Sequence, residues 1–192
     1  MTTRRDFIRT TAATGLIAAM PGCTSSTTPA PAMRAPAPLA RGTMRSRQPD
    51  EELRVAVIGL RGRGWNHVQA FERLDHVSIV ALCDCDSAIL DKRAAEFEQA
   101  HARNVDAVID YRTLLDRNDI DVISIATPNH WHALMTVEAC NAGKDVYVEK
   151  PLSHNIFEGG KLVEAAKKYG RIVQHGTQTR ASQRWADLAR DV

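Results

Sequence analysis

Arg54-Val-Ala-Val-Ile-Gly-Leu-Arg-Gly-Arg-Gly64 decides the fold of this chain. Its first half is an apolar run that ends in glycine, which is typical of a strand buried in a parallel sheet. Its second half leads into residues 65–74, where Val68, Phe71 and Leu74 recur at helical spacing. A strand, a glycine-rich turn and a helix in this order place backbone N–H groups at a helix N-terminus, where they bind phosphate.

Strands and helices alternate through the rest of the chain. The predicted strands are residues 54–59, 77–83, 105–109, 122–126, 145–149 and 171–175. The predicted helices are residues 65–74, 87–101, 112–116, 132–142 and 153–169, with Ser87 and Ser153 as N-caps. This alternation implies right-handed crossovers, so the fold class is α/β, a doubly wound parallel sheet over residues 51–176. Six strands complete one Rossmann dinucleotide-binding domain.

The glycines of the turn have separate predicted roles. Gly59 allows the chain to turn tightly, and Gly64 allows the helix to approach the strand closely. In the G-x-G-x-x-G register the second glycine position falls on Arg61. We expect Gly62 to let the backbone approach a phosphate one residue later, and Arg61 or Arg63 to reach a phosphate oxygen.

An acidic residue at the end of the second strand indicates which dinucleotide is bound. Asp84 follows Gly64 by twenty positions, the spacing at which a carboxylate accepts hydrogen bonds from the adenosine ribose hydroxyls. That carboxylate repels a 2′-phosphate, so NAD is favoured over NADP. Asp86 is a second candidate, and the alternative is that one of the two acids caps a helix.

Two polar clusters follow neighbouring predicted strands. Ala126-Thr-Pro-Asn-His-Trp-His132 ends one strand, and Glu149-Lys150-Pro151 ends the next. Because ligands bind at the carboxyl ends of parallel strands, both clusters should converge on one crevice. This crevice is the candidate working site.

The first residues resemble an export signal. Thr3-Arg-Arg-Asp-Phe-Ile-Arg9 is a twin-arginine signature, and the weakly apolar residues 10–20 that follow are too short to span a bilayer. We expect a signal segment over residues 1–23 and a protein that is periplasmic or anchored to the outer face of the membrane. The alternative is a disordered basic tail. Cys23 after Gly22 is either lipidated, a plain cleavage point, or a passive cysteine.

Composition excludes two classes of site. Residues 1–50 carry a net charge of +5 within a chain of net charge +2, so the remainder is mildly acidic and has no basic stripe for nucleic acid. Residues 24–50, rich in Ser, Thr, Pro and Ala, predict a flexible linker. The cysteines lack metal-ligand spacing, so no metal site is expected. Cys83, Cys85 and Cys140 are interpreted as small core residues.

Four stretches together resemble the glucose-fructose oxidoreductase / inositol dehydrogenase (Gfo/Idh/MocA) family, in its exported, twin-arginine branch. They are Val57-Ile-Gly-Leu-Arg-Gly-Arg-Gly64, Ala126-Thr-Pro-Asn-His130, Ala142-Gly-Lys-Asp-Val-Tyr-Val-Glu-Lys-Pro151 and Gln174-His-Gly-Thr-Gln178. The resemblance covers about residues 53–180, and the Glu-Lys-Pro element is its most specific part.

The resemblance assigns roles to the two polar clusters. Thr127, Pro128 and Asn129 match the turn that lies along the nicotinamide half of the cofactor, and His132 matches the histidine near that site. Glu149 and Lys150 match the Glu-Lys-Pro pair, in which the lysine approaches both nicotinamide and substrate and the proline forms a cis peptide.

Lys150 is the candidate catalytic residue. A partly buried lysine beside a cationic nicotinamide would have a lowered pKa and would help to take the proton of a substrate hydroxyl. The alternative is a surface lysine paired with Glu149. For His130 a binding role and a structural role stay open, and Trp131 either walls the pocket or packs. Tyr147 is interpreted as a core residue.

The resemblance also implies a second, α+β substrate domain after the dinucleotide domain. Residues 177–192 are expected to be its start, and the domain itself is essentially absent from this chain. In the family it supplies most substrate contacts, a catalytic histidine and the interface of a homo-oligomer.

Three functions are open. The first is an NAD(P)-dependent oxidoreductase acting on a small-molecule sugar or polyol. The second is an NAD-dependent glycosidase that works by transient oxidation and elimination. The third is a non-catalytic dinucleotide-binding module.

Overall fold

The computed structural model describes residues 51–178 together with Ser182, Trp185, Asp187 and Arg190. The predicted signal segment and linker, residues 1–50, lie outside this part of the chain. The described strands are β1 (Leu53–Ile58), β2 (Val77–Cys83), β3 (Asp106–Val108), β4 (Val122–Ile125), β5 (Asp145–Glu149) and β6 (Val173–Gly176). They form one sheet in the order β3-β2-β1-β4-β5-β6, and every neighbouring pair is parallel. The predicted doubly wound parallel sheet is confirmed.

Helices connect the strands and cover both faces of the sheet. They are α1 (Gly62–Phe71), α2 (Ser87–His101), α3 (Arg112–Leu115), α4 (Asn129–Asn141) and α5 (Ile156–Tyr169). Alternate residues of β1 enter two separate cores because successive side chains of a strand point to opposite faces. Val55 and Val57 pack with α1 and α2, whereas Ala56 and Ile58 pack with α3, α4 and α5. Burial on both faces explains why the strands are continuous apolar runs.

Both predicted serine N-caps are wrong. The carboxylate of Asp86 caps α2, accepting hydrogen bonds from the N–H groups of Ala88 and Ile89 at 3.1 and 3.3 Å. Asn155 caps α5 and accepts from the N–H of Glu158 at 2.9 Å. Ser, Asp and Asn are all good caps, so the residue that takes the role depends on where the chain first turns into helical geometry.

One of the three described cysteines departs from its predicted role. Cys83 and Cys140 are buried, and burial raises the pKa of Cys83 to about 12 and that of Cys140 to about 11. Cys85 is exposed. The strand ends at Cys83, so Cys85 lies in the turn that leads to the Asp86 cap and not in the core.

Within residues 51–178, no helix combines the length and the apolar character needed to cross a bilayer. In the same part of the chain, no three His, Cys, Asp or Glu side chains are grouped so that they could hold a metal ion.

Candidate functional site

The glycine-rich turn is packed so closely that two of its positions exclude a side chain. Gly59 has φ +86°, and a Cβ built on it would lie 2.8 Å from the carbonyl carbon and oxygen of Ala126. A Cβ on Gly64 would lie 1.6 Å from the carbonyl oxygen of Gly59. The start of α1 is therefore pressed against the end of β1, as predicted. Gly62, with φ +27°, has open space around it, so only its backbone conformation is special.

A pocket of about 660 Å³ opens at the carboxyl ends of β1, β2, β3 and β4. Five predicted site residues line it: Gly59, Arg61, Asp84, Thr127 and Pro128. Asp86, the second candidate for the ribose, also lines it. A further set of lining residues was not predicted as part of the site: Cys85, Ile109, Tyr111, Arg112 and Met135. The residues that follow β3 were missed, although the rule that ligands bind at the carboxyl ends of strands would have included them.

The two candidate ribose acids have different surroundings. Asp84 accepts a hydrogen bond from the N–H of Leu60 at 2.8 Å through one oxygen and from the N–H of Asp86 at 3.0 Å through the other. It thus joins the end of β2 to the glycine-rich turn. Asp86 caps α2 and pairs with Arg61 at 2.5 Å. The helix-cap alternative therefore applies to Asp86, and Asp84 remains the candidate for the ribose.

Two aromatic rings form a wall of the pocket. Trp131 lies edge-to-face with Tyr111, with the ring centroids 6.5 Å apart. The Tyr111 hydroxyl donates to Glu138 at 2.6 Å, and burial with this carboxylate raises the pKa of Tyr111. Trp131 is 40% exposed, so it both packs and walls the pocket. His130 is exposed beside it, which argues against a buried structural role.

The two polar clusters meet through one imidazole. His132, in the first turn of α4, is buried. Its Nδ1 lies 2.6 Å from the carbonyl oxygen of Pro151, and its Nε2 lies 2.8 Å from the carbonyl oxygen of Thr127. The two clusters are therefore in contact, and His132 holds the turn after β4 against the segment after β5. The first cluster lines the pocket, whereas residues 149–151 do not. Asn129 is exposed at the start of α4.

A second cluster lies under this junction and includes residues that the sequence did not single out. The Glu149 carboxylate is buried and accepts from Arg63 Nε at 2.7 Å and from the N–H of Lys150 at 3.1 Å. His67 Nε2 lies 3.0 Å from Glu149, and His67 Nδ1 lies 3.0 Å from the hydroxyl of Ser124. The one signal in the sequence that both are buried is that His67 and Ser124 each stand within an apolar segment.

Burial and hydrogen bonding act in opposite directions in this cluster. Burial lowers the pKa of His67, and the hydrogen bond to Glu149 offsets only part of that effect. Burial disfavours the charged form of Glu149, but the hydrogen bonds from Arg63, His67 and the Lys150 N–H outweigh it, so the pKa of Glu149 is lowered. A neutral His67 that donates from Nε2 and accepts at Nδ1 satisfies every partner.

Lys150 itself is exposed, and the expected partial burial is wrong. The side-chain bonds of Glu149 come from Arg63, His67 and the backbone N–H of Lys150. Among the described contacts, none pairs the Lys150 amine with Glu149. The alternative of a surface ion pair between these two side chains is therefore not supported. The Lys150–Pro151 peptide bond is cis.

These features fit a dinucleotide. Gly59 and Gly64 let the turn and the start of α1 pack closely against the ends of β1 and β4. This packing places the N-terminus of α1 at the carboxyl edge of the sheet, where a pyrophosphate binds. A carboxylate follows β2 at the position that contacts ribose. Residues 53–177 match the Gfo/Idh/MocA oxidoreductase family, described as having an NAD-binding Rossmann fold. The chain belongs to this family. NAD is therefore the cofactor that its fold takes.

Three known proteins are similar to this chain over part of their length. An α-N-acetylgalactosaminidase of Shewanella oneidensis is 37% identical over 123 residues, which are 62% of this chain and 27% of that protein. A myo-inositol 2-dehydrogenase of Lactobacillus plantarum is 31% identical with a TM-score of 0.62, covering 73% of this chain and 41% of its own. The WlbA dehydrogenase of Chromobacterium violaceum, solved with NADH and UDP-GlcNAcA, is 27% identical with a TM-score of 0.64, covering 74% and 40%. The chain thus spans about 27% of the length of the curated relatives that it matches.

Proposed function

We propose that this chain is the cofactor-binding part of an enzyme that transfers hydride between a sugar or polyol carbinol and the nicotinamide of NAD. The observation that carries the proposal is the junction at His132, which joins the turn lining the pocket to the segment of Lys150. The junction supports the proposal because the segment that carries Lys150 and the glycine-rich turn then lie at the same edge of the sheet.

Each residue has a role that follows from its position. The N–H groups at the start of α1 would bind the pyrophosphate, and Asp84 would accept from the ribose hydroxyls. NAD, when bound, supplies the acceptor for the hydride. Lys150 would hydrogen-bond the substrate oxygen. As the neutral amine it would take the hydroxyl proton when the carbinol is oxidised, and as the ammonium it would return that proton in the reverse reaction.

A second candidate function is favoured by the relatives. Curated proteins 37–39% identical to this chain are named glycosyl hydrolases of family 109 or α-N-acetylgalactosaminidase. A glycosidase of this kind would use the same cofactor site. It would oxidise the sugar transiently, eliminate the aglycone, and restore NAD in each turnover.

Net redox change separates the two functions. The full-length enzyme, of which this chain is the proposed part, is purified and incubated with sugars and polyols, and with an aryl α-N-acetylgalactosaminide, with and without added NAD. NADH that accumulates with oxidised sugar supports the oxidoreductase. Aryl release without NADH accumulation supports the glycosidase. NAD binding without either reaction would contradict both and leave a binding module.

Lys150→Ala tests the catalytic assignment in the same assay. Loss of a positioned acid–base group should lower turnover by about 100-fold or more, whereas NAD affinity should change little. Turnover equal to that of the parent protein would remove Lys150 from the reaction.

Some expectations concern residues outside the described part of the chain. Export through residues 1–23, a lipid on Cys23 and homo-oligomerisation of a longer protein remain predictions.

A further inference from the structure

The two arginines of the glycine-rich turn have different surroundings. Arg61, with its side chain 69% exposed, pairs with Asp86, which is itself partly exposed. Arg63 pairs with Glu149, whose side chain is only 5% exposed. An exposed ion pair gives little stabilisation and exchanges readily with other partners. A buried carboxylate is strongly destabilising when it loses its cation, so Arg63 is not free to leave Glu149 for a ligand.

Glu149 is held by three donors from two elements. Arg63 and His67 lie four residues apart on α1, so their side chains project from the same face of the helix. The third donor is the N–H of Lys150, at 3.1 Å. The network therefore runs from the first turn of α1 to the backbone of the candidate catalytic residue.

The side chains of His67 and Glu149 are tightly packed by their neighbours. The Tyr147 ring packs edge-to-face on His67, with centroids 5.1 Å apart. A Cβ added to Gly176 on β6 would come within 2.9 Å of the Tyr147 hydroxyl and 3.2 Å of a Glu149 oxygen. On the far side of the ring, Ser124 of β4 holds the other nitrogen of His67. Side chains and backbone from β4, β5 and β6 therefore enclose the His67–Glu149 pair.

We propose that Arg63 and His67 are positioning residues, which fix the backbone of Lys150 through the Glu149 carboxylate. The segment that would bind the cofactor phosphates and the segment that carries the lysine are thereby one mechanical unit. The importance of this unit for turnover rests on the proposed function, but the linkage itself does not. Arg61, two residues from Arg63 in the same turn, lies outside the unit and is its matched control.

The test is the exchange rate of the Lys150 amide hydrogen, measured by NMR on the full chain without cofactor or substrate. The amide of Val146, which donates to Ile172 at 2.8 Å, serves as a reference for changes in global stability. Relative to this reference, Lys150 exchange should accelerate about tenfold or more in Arg63→Ala and in His67→Leu, because the acceptor of its amide loses a partner. In Arg61→Ala it should change less than about twofold.

His67→Gln provides the conservative rescue. An amide side chain can still donate to Glu149, so Lys150 exchange should return most of the way to the parent value. If Arg63→Ala does not fold, Ser124→Ala replaces it in the test. This substitution removes the hydrogen bond between Ser124 and His67 Nδ1, so Lys150 exchange should again accelerate, but by a smaller factor.

Two results would overturn the proposal. One is parent-like Lys150 exchange in both Arg63→Ala and His67→Leu. The other is equal acceleration in Arg61→Ala and Arg63→Ala. Neither result depends on turnover, so a failure of the proposed function and a failure of this linkage are distinguishable.

Discussion

Asp84, the proposed ribose contact, already has a role in the fold. Both of its oxygens already accept backbone N–H groups, one from the glycine-rich turn and one from the loop before α2. A carboxylate oxygen has two lone-pair positions, so each can accept a second hydrogen bond. The bonds that hold Asp84 in place are thus compatible with the proposed contact to a ribose.

Asp84→Ala should therefore weaken NAD binding by about tenfold or more, because bonds to a charged acceptor are lost. The preference for NAD over NADP should narrow, since the charge that repels a 2′-phosphate is removed. Fluorescence titrations with NADH and NADPH measure both effects. Asp86→Ser keeps a helix cap and is the control. If Asp86→Ser loses the preference for NAD over NADP and Asp84→Ala keeps it, Asp86 and not Asp84 contacts the ribose.

The packing of α1 on β1 determines the site at the scale of elements. The helix starts where a Cβ at Gly64 would overlap the carbonyl oxygen of Gly59, so it can approach only because that position is glycine. The same approach brings Arg63 and His67 to Glu149. One close helix–strand contact therefore shapes both the glycine-rich turn and the network that includes the Lys150 backbone N–H.

Gly64→Ala should destabilise the chain by about 3 kcal/mol or more, because the helix must move away from the strand. Gly160 in α5 is the matched control, since a Cβ there meets nothing within 4 Å. Gly160→Ala should stabilise by about 0.5–1 kcal/mol through helix propensity. Urea unfolding measures the free energy of unfolding of both variants. If Gly64→Ala lowers it by no more than about 1 kcal/mol, the inferred overlap between a Cβ at position 64 and the Gly59 carbonyl oxygen is wrong.

On the scale of the whole molecule, the His67 network crosses the centre of the sheet. It joins α1 to β4 and β5, next to the place where the strand order reverses between β1 and β4. Open parallel sheets bind their ligands at this reversal. The buried side chains of His67, Ser124 and Glu149 therefore lie close to the point where the two halves of the sheet meet.

The stability of the chain should fall as the pH falls below about 6.5, the ordinary pKa of histidine. Burial lowers the pKa of His67 in the folded state, so the unfolded state takes up a proton first and is favoured. Glu149, whose pKa is also lowered, should extend the loss below pH 4.5. The free energy of unfolding, measured from pH 8 to pH 5, should have a shallower slope in His67→Gln than in the parent. Equal slopes in His67→Gln and in the parent would show that His67 does not contribute to the pH dependence of stability.

The sequence by itself determined the sheet, the glycine-rich turn, the acid after β2 and the meeting of the two polar clusters. These features depend on apolar runs, on glycine and on the rule that parallel strands end at one edge, all of which are local patterns. Only the tertiary structure decided the exposure of Lys150, the helix caps and the partners of His67. His67 meets Ser124 across 57 positions and Glu149 across 82. Such pairs depend on how closely α1 packs against β4 and β5, which no local pattern of residues specifies.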